Sequence, residues 1–206
     1  MSNKKWAVFD MDDVLTDFAH STYETMVRLG YPDIPVSAWK DYNINDTYGL
    51  KSHKEFIDIM INEDILSNSK VKDGVIETLE AFKDAGFHTG ILTARGWHPY
   101  AQKLTQNFIE EHKLPIDKAV IAGHHTQGKL FYASEFFNEG EIICYVDDSP
   151  KHIKDFTNAG IYSKLMRTSW IHDHEIEGLS QVHSIKEYKD TVFKELDIHH
   201  PKKFKL

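Results

Sequence analysis

Two acidic groups, Asp10-Met11-Asp12-Asp13 and Asp147-Asp148, lie far apart in the chain, yet each directly follows a short apolar run, Trp6 to Phe9 and Ile142 to Val146. Such runs read as buried strands of a parallel sheet, and open parallel sheets hold their ligands at the carboxyl ends of the strands. Carboxylates gathered on one rim repel one another until a proton or a cation relieves them. Hard oxygen ligands of this kind suit Mg²⁺, which keeps several waters and takes one or two carboxylates together with a phosphate. The complementary groups are Thr93 and Ala94, at the end of Gly90-Ile91-Leu92, and Lys129, at the start of a helical stretch reaching Phe137. A hydroxyl and backbone N–H groups at a helix start cradle a phosphate, and a lysine offsets an oxyanion. Arg95 suits either a second phosphate or sugar, or an ion pair with a nearby acid. Read one at a time, each of these residues also fits a plain strand end, a helix cap or a solvated side chain.

The elements that must position these residues are legible from the hydrophobic period. Further strand-like runs occur at Phe87 to Thr93, Ala119 to Ala122 and, more weakly, Ile161 to Met166. Helical patterns separate them. Asp73 is placed to cap a helix with Val75, Leu79 and Phe82 on one face, closed by Gly86, and Ser149-Pro150 opens another that carries Ile153, Phe156 and Ala159. Repeated strand-helix-strand alternation predicts an α/β fold, a doubly wound parallel sheet with helices on both faces. The stretch 17–72 breaks the alternation and reads as a small helical lobe inserted after the first strand, leaving 1–16 and 73–206 as the core. In the lobe, Phe18, Thr22, Met26 and Leu29 share a helix face, and Ser52-His53-Lys54-Glu55 forms a capping box.

Composition narrows the class. The chain has 206 residues, 41% hydrophobic, with 24 Lys+Arg against 32 Asp+Glu and a formal charge of −8. That balance disfavours bulk nucleic-acid binding. No run of about 18 apolar residues suggests a membrane span, and no export signal is visible, so a soluble, cytoplasmic protein is expected. The single cysteine, Cys144, sits among apolar residues and reads as a small core side chain. His172-Asp173-His174-Glu175 has spacing that suits neither one helix face nor a zinc motif, and His124-His125 and His199-His200 are no stronger. The oligomeric state is left open, a homo-oligomer included.

In order, Asp-x-Asp, Thr, Lys and Asp-Asp, carried by AVFDMDDVL, GILTAR, GKL and CYVDDSP, resemble the motifs of the haloacid dehalogenase superfamily over most of the chain. The resemblance implies that Asp10 is a nucleophile forming an aspartyl-phosphate and that Asp12 is the acid and then the base. It implies Mg²⁺ held by the Asp10 carboxylate, the Asp12 carbonyl and Asp147, with Asp148 as an additional or water-mediated partner. Thr93 and Ala94 would hold a phosphoryl oxygen, and Lys129, rather than Lys151, would share the charge neutralisation. Asp13 stands where the family often has Gly. The inserted lobe corresponds to the family's helical cap, and DMDDVLTDF looks most like the 5′(3′)-deoxyribonucleotidase branch. Phe18, Trp39, Tyr42 and Trp97 are then candidates for stacking on a base, with a nucleoside monophosphate as the small phosphorylated substrate. Arg95-Gly96-Trp97-His98 departs from that branch and keeps polynucleotide-end and sugar phosphatases open. A receiver-like phospho-acceptor module is a further alternative from a different class.

Overall fold

The computed structural model describes residues 3–39, 44–123, 128–171 and 173–198. Its centre is a six-stranded sheet: β1 Lys4–Phe9, β2 His88–Thr93, β3 Lys118–Ile121, β4 Gly140–Asp147, β5 Tyr162–Met166 and β6 Gln181–Val182. The strands lie in the order β3-β2-β1-β4-β5-β6, and every neighbouring pair is parallel. The strand-helix alternation in the sequence is thus realised as a doubly wound sheet. The sequence offered no sign of β6, because a two-residue edge strand is too short to show a period.

Helices α1 Phe18–Arg28, α2 Ile44–Tyr48, α3 His53–Asn62 and α4 Ile65–Asn68 follow β1 as one excursion without a sheet strand. Its two ends run side by side, with Asp17 N donating to Lys70 O at 2.8 Å and Lys72 N to Leu15 O at 2.9 Å. Then come α5 Val75–Asp84, α6 Ala101–Glu111, α7 Lys129–Tyr132, α8 Ser134–Phe137, α9 Pro150–Asn158 and α10 Ile185–Glu195. Strand alternation sends Ala7 and Phe9 to one face of the sheet, among side chains from α5, α6 and α10. It sends Trp6 and Val8 to the other, among Phe136 of α8 and Ile153 and Phe156 of α9. Buried residues of the helical excursion, including Trp39, Met60 and Leu66, are continuous with this second cluster. The excursion therefore shares its core with the sheet.

Local rules hold with three corrections. Ser52 accepts from Glu55 N at 3.2 Å, as a capping box requires, but Glu55 reaches back to Lys51 N at 2.7 Å. Asp73 does not cap α5; Gly74 takes the cap position at φ +80°, a conformation that glycine adopts without steric cost. The helix expected from Lys129 to Phe137 is two short ones joined at Ala133. Cys144 is fully buried, and burial pushes its thiol up to about 12, which leaves it an inert core residue.

Candidate active site

The strand order changes direction between β1 and β4, the place where doubly wound sheets open a crevice. Phe9 pairs with Val146, and Asp10 N donates to Val146 O at 2.9 Å, so the acids that follow β1 and end β4 face each other. Lys129, at the first turn of α7, stands between them. Its Nζ lies 2.7 Å from Asp10 Oδ1 and 2.7 Å from Asp147 Oδ2, and all three side chains are buried. Burial alone would lower the lysine pKa, but the two carboxylates outweigh it and hold the ammonium well above its usual range. Lys151, the rival candidate, is exposed on α9 and pairs with Asp155 at 3.0 Å.

Asp147 is crowded with donors. Oδ1 accepts from Ser149 N at 2.8 Å; Oδ2 accepts from Lys129 and from the Tyr145 hydroxyl; His152 Nδ1 lies 3.3 and 3.2 Å from the two oxygens. Although burial would raise its pKa, Lys129 and His152 hold Asp147 well below the usual carboxylate range. Ser149 occupies the α9 cap position without a side-chain cap bond, and its own N–H goes to Asp147. Asp10 differs. Its Oδ1 is buried beside Lys129 without the angles of a hydrogen bond, and desolvation, only partly opposed by Lys129, pushes its pKa up to about 6. Carboxylate oxygens of Asp10, Asp147 and Asp148 all lie within 4.8 Å of one another. Three converging acids, with one buried Asp10 oxygen met by Lys129 off the hydrogen-bond angle, fit a hard divalent cation.

These residues line a cavity of about 340 Å³ together with Asp12, Asp13, Thr93 and Ala94. Thr93 ends β2, is 1% exposed, and its hydroxyl has no hydrogen-bond partner. Such a group normally finds a partner, so an orphaned hydroxyl on a cavity wall marks a place for an oxygen-rich ligand. Of the expected aromatic contacts, Phe18, Trp39 and Trp97 line the cavity. Tyr42 lies outside the described residues, as do His124, His125, His172, His199 and His200. Of the two roles that Arg95 suited, the ion pair is the one the structure holds. It is fully buried and forms no part of the cavity wall; its guanidinium grips the Asp12 carboxylate instead of facing a ligand.

Several lining residues escaped the sequence analysis. His152 comes from the first turn of α9 and Trp170 from the loop after β5, beside Trp39 at 5.9 Å between ring centroids. The strand-tip rule applied to the Ile161 to Met166 run would have pointed to Trp170. Helical spacing from Pro150 would have turned His152 back toward Asp147. Phe56 and Ile44, from the excursion, carry no chemical signal at all.

Asp13 has another role. At φ +58° it adopts the left-handed conformation that glycine would take at no cost, and its Oδ1 accepts from Ala19 N at 2.9 Å, at the start of α1. Burial pushes its pKa from an ordinary 3.8 up to about 7. A raised carboxyl pKa favours the fold most below pH 4 and loses that contribution as pH rises through about 7. Asp13→Asn keeps an acceptor, tolerates the positive φ and carries no charge. In metal-free protein it should therefore be more stable than the wild type at pH 8, by about 1–3 kcal/mol. The advantage should shrink toward pH 4; denaturant titrations at the two pH values check both parts.

Sheet order, strand-tip acids and the buried lysine between them define a doubly wound α/β enzyme with a charge-compensated acidic centre. Residues 4–160 match the family model for haloacid dehalogenase-like hydrolases, and the chain belongs to that family. A phosphatase from Thermococcus onnurineus is similar at 16% identity, with 96% of this chain and 100% of that one covered and a TM-score of 0.54. A protein from Clostridium acetobutylicum described as a predicted phosphatase shows 16% identity, coverage of 93% and 99%, and a TM-score of 0.63. A β-phosphoglucomutase from Clostridium difficile shows 15%, 97% and 100%, and 0.56. At such identities the likeness is one of fold. No curated protein matches the chain significantly. Among the described residues no helix is long and apolar enough to cross a membrane.

Proposed function

We propose that this hydrolase is a Mg²⁺-dependent phosphatase of small phosphomonoesters, and that nucleoside monophosphates are its preferred substrates. The observation that carries the chemistry is the orphaned Thr93 hydroxyl opening into the same cavity as Asp10 and Lys129. Asp10 attacks phosphorus and the ester P–O bond breaks, with Asp12 giving its proton to the departing oxygen. A water molecule then attacks the aspartyl-phosphate and gives a proton to Asp12, releasing phosphate and restoring Asp10. Thr93 and the Ala94 N–H hold a phosphoryl oxygen, and Lys129 balances the charge that Asp10 carries while it waits. A bound Mg²⁺ would supply further charge neutralisation for the phosphoryl oxygens. Its ligands would be Asp10, the Asp12 carbonyl and Asp148. Asp147, whose oxygens are taken up by Lys129, Tyr145, Ser149 and His152, would instead hold the lysine in place. The helical excursion over 17–72 acts as the cap that selects the leaving group.

Support for a nucleotide comes from the aromatic part of the cavity wall. Phe18, Trp39, Trp97 and Trp170 surround the cavity, while Lys129 is its one permanent cation among the described lining residues. That wall suits one phosphate joined to a flat, uncharged group, and it has few polar partners for a bare sugar. The small volume and the negative chain argue against a polynucleotide end. Phosphate release should be measured for deoxy- and ribonucleotides, sugar phosphates and 3′-phosphorylated oligonucleotides, with Mg²⁺ and with a chelator. Nucleoside monophosphates should turn over fastest, chelation should stop the reaction, and Trp170→Ala should raise KM about tenfold. Activity confined to sugar phosphates would reverse the choice of substrate. Stable phosphorylation without turnover would favour the receiver-like module.

A further inference from the structure

Arg95 is an arginine with no exposed surface, and its guanidinium is committed chiefly to Asp12. Nε donates to Asp12 Oδ2 at 2.9 Å and an Nη to Asp12 Oδ1 at 2.5 Å, while the other Nη reaches Thr105 Oγ1 of α6 at 3.5 Å. The backbone that presents it is equally constrained. Arg95 opens a single 3-10 turn whose Gly96 N donates to Ala122 O at 3.2 Å, and a Cβ on Gly96 would stand 2.5 Å from that same oxygen. Only glycine lets the turn sit this close to the end of β3.

Asp12 is partly exposed at the cavity wall, and a carboxylate there would ordinarily rotate freely about its side-chain bonds. The fork removes that freedom. A planar guanidinium bonded to both oxygens fixes the plane of the carboxylate as well as its position. The single proton of the Thr16 hydroxyl is shared between Asp12 Oδ1 at 3.4 Å and Met11 O at 3.3 Å, so Oδ1 has Arg95 Nη and part of that proton, whereas Oδ2 has only Arg95 Nε among the described residues. We infer that Arg95 is a positioning residue for proton transfer: it presents Asp12 to the scissile bond edge-on, with Oδ2 as the oxygen that exchanges the proton. This rests on Asp10 being the nucleophile and Asp12 the acid and base. It adds a residue that touches neither substrate nor metal.

Dependence on the leaving group separates positioning from a structural role. A poor leaving group needs Asp12's proton as the P–O bond breaks, and an aryl one such as p-nitrophenolate does not. In Arg95→Gln, kcat/KM for an alkyl monophosphate should fall about 100-fold and that for p-nitrophenyl phosphate by less than tenfold, since a misplaced acid forfeits roughly 10²–10⁴ in rate. Arg95→Lys, which keeps the buried charge and loses the fork, should show the same split and guards against an Arg95→Gln chain that fails to fold. In an Asp12→Asn background Arg95→Gln should leave the alkyl-to-aryl ratio unchanged. An unaltered ratio in the folded single variants, with both substrates slowed alike, would overturn the positioning role while leaving the phosphatase intact. Full activity of Asp10→Asn on both substrates would instead sink the mechanism on which it rests.

Discussion

Asp10→Asn is expected to reduce turnover on the order of 10⁴-fold or more, the scale seen when a nucleophile is removed from a concerted catalytic group. The amide is nearly the same size, so the cavity keeps its shape, but it offers phosphorus no anionic oxygen and cannot form the acyl-phosphate. The environment of Asp10 makes the effect specific. Its carboxylate is buried, pushed toward neutrality by desolvation, and kept usable by Lys129 at 2.7 Å. The variant also removes one negative charge from a cluster in which Lys129 faces two buried carboxylates, so its Tm should not fall. Acid-quenched reactions with ³²P-labelled substrate provide the check: the wild type should carry covalent label and Asp10→Asn none. Retained turnover, or label that survives the substitution, would place the nucleophile elsewhere.

Lys129→Met should be the most destabilising single change at the site. The ammonium is buried between Asp10 and Asp147, and removing it leaves two carboxylates a few ångströms apart with only His152, on the Asp147 side, near them. Breaking a buried pair from one side typically costs about 3–5 kcal/mol, which for a chain of this size lowers Tm by roughly 10 °C or more. Two further outcomes mark the cause as electrostatic. The loss should shrink on acidification, because Asp10, whose pKa burial raises and only Lys129 pulls back down, takes up a proton more readily once the lysine is gone. Saturating Mg²⁺ should restore more stability to Lys129→Met than it adds to the wild type, because a cation then replaces the missing charge. Calorimetry at two pH values with and without Mg²⁺ reads both. A variant as stable as the wild type under all conditions would mean that water already relieves the two acids.

The contrast between Arg95 and Lys129 shows why some of the site was legible in the sequence and some was not. Lys129 was identifiable because it starts a helix between Thr93 and Asp147, in the motif order of the haloacid dehalogenase superfamily. Arg95 offered two roles on equal terms, substrate contact or ion pair, and nothing local separates them. Its guanidinium meets Asp12 because β1 and β2 are neighbours in the sheet, 83 positions apart in sequence notwithstanding. Trp170 and His152 were missed for the same reason. An aromatic or a histidine carries no mark of which cavity it faces, and the strand tips that aim these two come together only when β4 and β5 pair.

From the sequence alone came the doubly wound sheet, the helical excursion after β1 and the inventory of acids and threonine at strand ends with a lysine at a helix start. Those features follow from short-range physics: apolar period, capping and turn preferences act over a few residues. The tertiary structure alone decided that Asp147 is filled by protein donors while Asp10 retains an orphaned oxygen, that Arg95 grips Asp12, and that the excursion shares its core with the sheet. Each of these depends on distances between segments far apart in the chain. At such distances burial and charge set what a side chain does, and neither can be read from its neighbours in sequence.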